Sequence, residues 1–132
     1  MAVMIALEPA SPTWRGMVAV SNAFRDAGYE VIYGGNMLPP EIATTAVQED
    51  VDIVGLSILS SNYMRLVSET MSELKTRGKG DVMVLVGGMI WKKDFATLKE
   101  IGVEGIFIPG TPLPDIVNFV HQRISQLKTK VT

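Results

Sequence analysis

Ile53-Val54-Gly55-Leu56, then Ser57-Ile58-Leu59-Ser60-Ser61-Asn62, then Met64, Val67, Met71 and Leu74 at helical spacing, then Gly78, then Val82-Met83-Val84-Leu85-Val86: this stretch decides the fold. A short, nearly continuous apolar run reads as a strand covered on both faces. The spaced stripe reads as an amphipathic helix stopped near Gly78. The second apolar run is another such strand. Strand, helix and strand in this order close by a right-handed crossover, which makes the two strands parallel.

The same alternation extends in both directions. Apolar runs at 3–7, 31–33 and 106–108 add three strands. Met17, Val20, Phe24 and Ala27 form a first helical stripe ended by Gly28. A second helix opens at Pro40 and Glu41 and carries Ile42, Ala46 and Val47. Phe95, Leu98 and Ile101 make the fourth, closed by Gly102, and Ile116, Val120, Ile124 and Leu127 make the last. Strands each followed by a helix predict an α/β fold, a single doubly wound five-stranded parallel sheet of flavodoxin-like order 2-1-3-4-5. Residues 1–132 read as one domain.

Composition narrows the chemistry. The chain has 132 residues, is 47% hydrophobic and 20% charged, and carries a formal charge of −2. That provides for a real core and offers no basic field for nucleic acid or an anionic membrane. Cysteine is absent, which removes disulfides, thiolate metal sites and cysteine nucleophiles. The single histidine, His121, excludes a multi-histidine metal site. The apolar start, Met1-Ala2-Val3-Met4-Ile5-Ala6-Leu7, has no basic leader and is broken by Glu8 and Pro9, so it reads as a strand and not as a signal peptide. A cytoplasmic location is expected.

Ligands of open parallel sheets bind outside the carboxyl ends of the strands. The loops to read are therefore 8–16, 57–62, 87–91 and 109–114. Ser57, Ser60, Ser61 and Asn62 give small polar groups at a strand end; one of them suffices as a helix cap. Gly87-Gly88 admits positive φ and close approach, or is a plain tight turn. Pro109-Gly110-Thr111-Pro112 is another tight turn. Together they describe a groove of small residues for something flat and deep. No catalytic constellation stands out. His121 reads as a surface or packing residue, Asp50 and Asp52 lie at the amino end of a strand, and Lys92 and Lys93 start a solvated helix.

Ser57-x-Leu59, Gly87-Gly88 and Pro109-Gly110-Thr111, in this order and on one sheet edge, resemble the cobalamin-binding domain of coenzyme-B12-dependent acyl-CoA mutases, the methylmalonyl-CoA mutase family above all. The likeness runs over about residues 5–124 and includes Leu38-Pro39-Pro40-Glu41-Ile42. It implies cobalamin as cofactor, its dimethylbenzimidazole tail buried in the sheet edge. Carried over by motif, the implied binding residues are Ser57, Leu59, Gly87, Gly88, Gly110 and Thr111, with Phe107 lining the tail pocket. A side chain at Gly88 is then expected to exclude the ligand and leave the fold intact.

The first loop departs from the family. The family motif is Asp-x-His-x-x-Gly, whose histidine binds cobalt; here Ser11-Pro12-Thr13-Trp14-Arg15-Gly16 stands in its place. Arg15 and Gly16 match, the ligand position is Thr13, and the orienting position is Ser11. No metal-ligating or catalytic residue is therefore expected. The resemblance implies a corrinoid-binding subunit of a mutase-like isomerase, inactive alone and dependent on a separate large catalytic subunit. A degenerate domain that has lost cobalamin and acts as a structural or regulatory partner is the alternative. A phospho-receiver shares the strand order but needs an aspartate where Ser57 stands.

Overall fold

The computed structural model describes residues 1–7 and 15–131, with side chains over 1–6 and 18–126. In chain order the elements are β1 (Ala2–Leu7), α1 (Arg15–Asp26), β2 (Glu30–Asn36), α2 (Pro39–Gln48), β3 (Ile53–Ile58), α3 (Tyr63–Thr76), β4 (Met83–Gly88), a 3-10 turn (Lys92–Asp94), α4 (Phe95–Ile101), β5 (Val103–Phe107) and α5 (Leu113–Val131). The sheet has the order β2-β1-β3-β4-β5, and every pairing is parallel. This is the flavodoxin-like order that the alternating pattern predicts.

Four details differ from the sequence reading. The fifth strand begins at Val103, ahead of the 106–108 run, because Gly102 at φ +119° stops α4 at once and an edge strand tolerates Glu104. The second continues past Tyr33 to Asn36, through a register shift between Ile5 and Ala6 that Gly35 permits with φ +72°. Val47 is 42% exposed; the buried stripe of α2 runs through Ile42, Ala43 and Ala46 instead. Ala27 lies beyond the end of α1 and is exposed. Helix α2 opens as expected on prolines, with the Glu41 carboxylate accepting from the Leu38 amide at 2.9 Å.

The sheet divides the core by strict alternation. Met4, Ala6, Val54, Leu56, Ile58, Val84 and Val86 face α2, α3 and α4, where they meet Ile42, Val67, Leu74 and Leu98. Val3, Ile5, Ile53, Met83 and Leu85 face α1 and α5, where they meet Phe24, Ile116, Val117 and Val120. At the amino edge charges tie the segments together. The Asp52 carboxylate accepts from the Ala2 amide at 3.0 Å, and Lys79 pairs with Asp50. No described helix is long and apolar enough to cross a membrane.

Candidate cofactor-binding site

Two strands taper toward the carboxyl edge, and on one face only. On β3 the residues facing α1 and α5 run Ile53, Gly55, Ser57; on β4 they run Met83, Leu85, Gly87. On the opposite face the same strands keep Val54, Leu56 and Ile58, and Val84 and Val86. The lost volume leaves a cavity of about 100 Å³ between the sheet and the two helices. Its walls include Ile5, Val20, Phe24, Phe107 and Ile116, and its floor is Gly55, Ser57 and Gly87.

A water needs only ~10–15 Å³ and two to four polar partners. Here Ser57 is the one polar side chain on the described wall, and its hydroxyl bonds no described residue. At about 100 Å³ the space is smaller than the ~150 Å³ apolar cavity that holds benzene, so it suits the inner edge of a flat apolar group and not the whole of one. Phe107 is fixed at its wall by an edge-to-face contact with Phe119, ring centroids 5.5 Å apart.

The glycines fall into two kinds. A Cβ on Gly87 would meet nothing nearer than the Phe107 carbonyl at 3.7 Å, and one on Gly55 nothing nearer than Ile5 at 3.7 Å. Both backbones would accept a side chain, which would project into the cavity. Gly88 differs: φ is +146°, and a Cβ would lie 1.8 Å from the Ile58 carbonyl oxygen. It does not line the cavity. The expectation that a side chain there spares the fold is therefore corrected: Gly88 is required by the backbone at the end of the β3–β4 ladder.

The other candidates scatter around this centre. Leu59 lies past the end of β3 with its side chain exposed. Gly110 makes the turn after β5 with φ +91°. The Thr111 hydroxyl donates to the Ile108 carbonyl at 2.7 Å and closes that turn. Arg15 and Gly16 open α1, but their side chains lie outside the described residues, as do Ser11, Thr13 and Trp14. Gly55 was missed because a glycine inside an apolar run passes as ordinary strand; its interruption of a Val/Leu/Ile run was the available signal. Val20, Phe24 and Ile116 came only with the docking of α1 and α5.

His121 points away from this edge. Its Nδ1 lies 2.9 Å from the hydroxyl of Tyr29, which immediately precedes β2 at the amino edge. No group of three His, Cys, Asp or Glu among the described residues could hold a metal ion.

An open parallel sheet with an apolar cavity toward its carboxyl edge places that cavity where sheets of this class take their ligands. The chain belongs to the B12-binding domain family, whose model matches residues 3–117, and cobalamin is the cofactor. It is 36% identical over 112 residues to the 2-hydroxyisobutanoyl-CoA mutase small subunit of Aquincola tertiaricarbonis, covering 84% of this chain and 82% of that one. It is 40% identical over 113 residues to the methylmalonyl-CoA mutase of Escherichia coli (strain K12), covering 85% of this chain but only 16% of that much longer one. Among solved structures, a cobalamin-binding protein from Desulfitobacterium hafniense DCB-2 superposes with a TM-score of 0.77 at 20% identity, over 92% of this chain and 58% of that one. A response regulator from Desulfuromonas acetoxidans superposes at 0.73 and 14% identity, over 96% and 98%. The fold is shared with receiver domains; Ser57 occupies the strand end where a receiver needs its aspartate.

Proposed function

We propose that this chain is the cobalamin-carrying small subunit of a two-chain acyl-CoA mutase, and that it binds the corrinoid without a protein histidine on cobalt. The observation that carries this reading is the one-sided taper of β3 and β4, which leaves an apolar cavity floored by Gly55, Ser57 and Gly87. Ser57 would donate to, or accept from, the tail; the two glycines would let it lie against the backbone; Phe107 would flank it. When bound, cobalamin supplies cobalt-centred radical chemistry that no side chain can perform. The protein's part is to bury the tail and present the corrin ring to a partner.

A separate large subunit that holds the acyl-CoA belongs to this reading, supported by the match over 82% of a mutase small subunit. A lower face of cobalt without a protein nitrogen, open to water or vacant, is supported by the place of the one imidazole, His121, which sits with Tyr29 at the opposite edge.

Visible absorption after incubation with hydroxocobalamin tests binding, and cobinamide, which lacks the nucleotide tail, tests the cavity. Cobalamin should bind at least roughly tenfold more tightly than cobinamide, the scale of about 1.4 kcal/mol. Equal affinities would remove the cavity from the mechanism, and no uptake of either would favour the degenerate, cofactor-free partner. Electron paramagnetic resonance of the cobalt(II) cobinamide complex should show no axial nitrogen splitting. Thr13→His with Ser11→Asp should introduce it, and Thr13→His alone should do so less fully, because an unoriented imidazole loses more freedom on binding.

A further inference from the structure

The loop after β4 carries exposed apolar side chains at the cofactor edge. Met89 and Trp91 are 64% and 68% exposed, whereas Ile90 between them is 7% exposed and anchors the loop in the core. Two backbone bonds shape it from within: the Ile90 amide donates to the Gly88 carbonyl at 2.9 Å, and the Asp94 amide donates to the Trp91 carbonyl at 3.0 Å. A third tether comes from another element. The Trp91 amide donates to the Tyr63 hydroxyl at 3.3 Å, and that hydroxyl donates to the Asp94 carboxylate.

Tyr63 opens α3, directly after the segment that carries Ser57 and Leu59, and is 3% exposed. The β3–β4 ladder ends at Ile58 and Gly88. Past that point the Tyr63 hydroxyl links the two loops, accepting from one end of the 3-10 turn and donating to the other. A buried phenol needs one partner. This one has two, both in the loop that displays Met89 and Trp91. Burial, and then the bond to Asp94, push its pKa above the ordinary value, so it remains a donor throughout the neutral range.

We infer that Tyr63 is a positioning residue for the corrin ring: its hydroxyl, oriented by Asp94, holds residues 89–91 so that Met89 and Trp91 stand as an apolar wall on the carboxyl edge. The inference deepens the cobalamin reading and rests on the ring lying along that edge.

Tyr63→Phe removes the hydroxyl and keeps the buried ring. Amide hydrogen exchange should quicken at Trp91 by roughly three- to tenfold, the loss of one modest hydrogen bond. Val67 in α3 and Val84 in β4 should keep their protection. Hydroxocobalamin affinity should fall by a comparable factor. Asp94→Asn, which retains an acceptor, should stay near wild type in both measurements. Asp94→Ala should reproduce Tyr63→Phe, and the double variant should add little to either. Unchanged exchange at Trp91, loss of protection spread over α3 and β4, or unchanged affinity despite a loosened loop would each overturn the inference. Should the wild-type protein take up no corrinoid, the cobalamin reading fails first, and with it the role of the wall; the exchange measurement still decides whether Tyr63 holds the loop.

Discussion

The two faces of one sheet are built from the same strands and do opposite things. Toward α2, α3 and α4, strands β3 and β4 keep branched side chains out to the carboxyl edge and pack there against Val67, Leu74 and Leu98; the groove on this face, lined by Met71, Leu74, Val82 and Ile101, lies between α3 and α4 toward the amino edge. Toward α1 and α5, the same strands shrink to Gly55, Ser57 and Gly87 at the carboxyl edge, and a cavity of about 100 Å³ remains. Alternation of side chains lets one strand serve a closed core and an open site at once. The site is therefore a property of one face, made by what is omitted. Stability should depend mostly on the closed face, and ligand binding mostly on the tapered one.

Neighbouring glycines give the sharpest way to break this comparison. Gly88→Ala forces a Cβ to within 1.8 Å of the Ile58 carbonyl oxygen. It should destabilise by about 3–5 kcal/mol, from backbone strain and a displaced strand end. Gly87→Ala should lie within about 1 kcal/mol of wild type in the same urea titration. Comparable losses for the two would show that the backbone at Gly88 does not require glycine as described.

A second pair compares the walls. Leu98→Ala on the opposite face should cost about 3 kcal/mol, since Leu98 is fully buried in the larger cluster. Ile116→Ala should cost less, about 2 kcal/mol, because Ile116 already borders empty space and has fewer contacts to lose. Chemical denaturation of both variants reads the difference.

Filling the cavity sharpens the functional half. Gly87→Val projects a branched side chain into the cavity, and hydroxocobalamin affinity should fall roughly tenfold or more. Circular dichroism and the urea midpoint should stay near wild type. Retained affinity would place the tail elsewhere.

The smallest effect is in alkaline pH. Tyr29, on the cavity face, has its pKa raised above 10.0 by burial, and Tyr63, on the closed face, by burial and the Asp94 carboxylate. A phenol whose folded pKa is raised contributes stability fully present below pH 10.0 and lost as pH rises beyond it. Tyr29→Phe and Tyr63→Phe should each flatten the fall of unfolding free energy between about pH 9 and 11. A slope unchanged in both variants would mean that neither phenol is buried as described.

Much of this was legible in one dimension. Continuous Val/Ile/Leu runs separated by helical stripes prescribe covered parallel strands, and Gly102 ends α4 as a left-handed stop. Edge strands read worst. β5 carries Glu104 and Gly105 within it, so its apolar run was too short to mark its start. Ser57 and Gly87, from the motifs, and Phe107, from the resemblance, do meet at the cavity, whereas Gly88 stands in the same motif as Gly87 and is held by the backbone. Dipeptides do not show which face of a strand each member occupies.

By itself the sequence determined the class of fold, the family of the cofactor and the absence of an imidazole in the first-loop motif, because these depend on residue type and spacing. Only the tertiary structure decided which glycines clear space and which relieve the backbone. It alone placed Gly55 in the cavity and brought Phe24 and Ile116 to its wall. It also put the Tyr63 hydroxyl between Trp91 and Asp94. Those facts depend on which side of the sheet a residue faces and which helix packs there, and both are settled by register and docking between segments far apart in the chain.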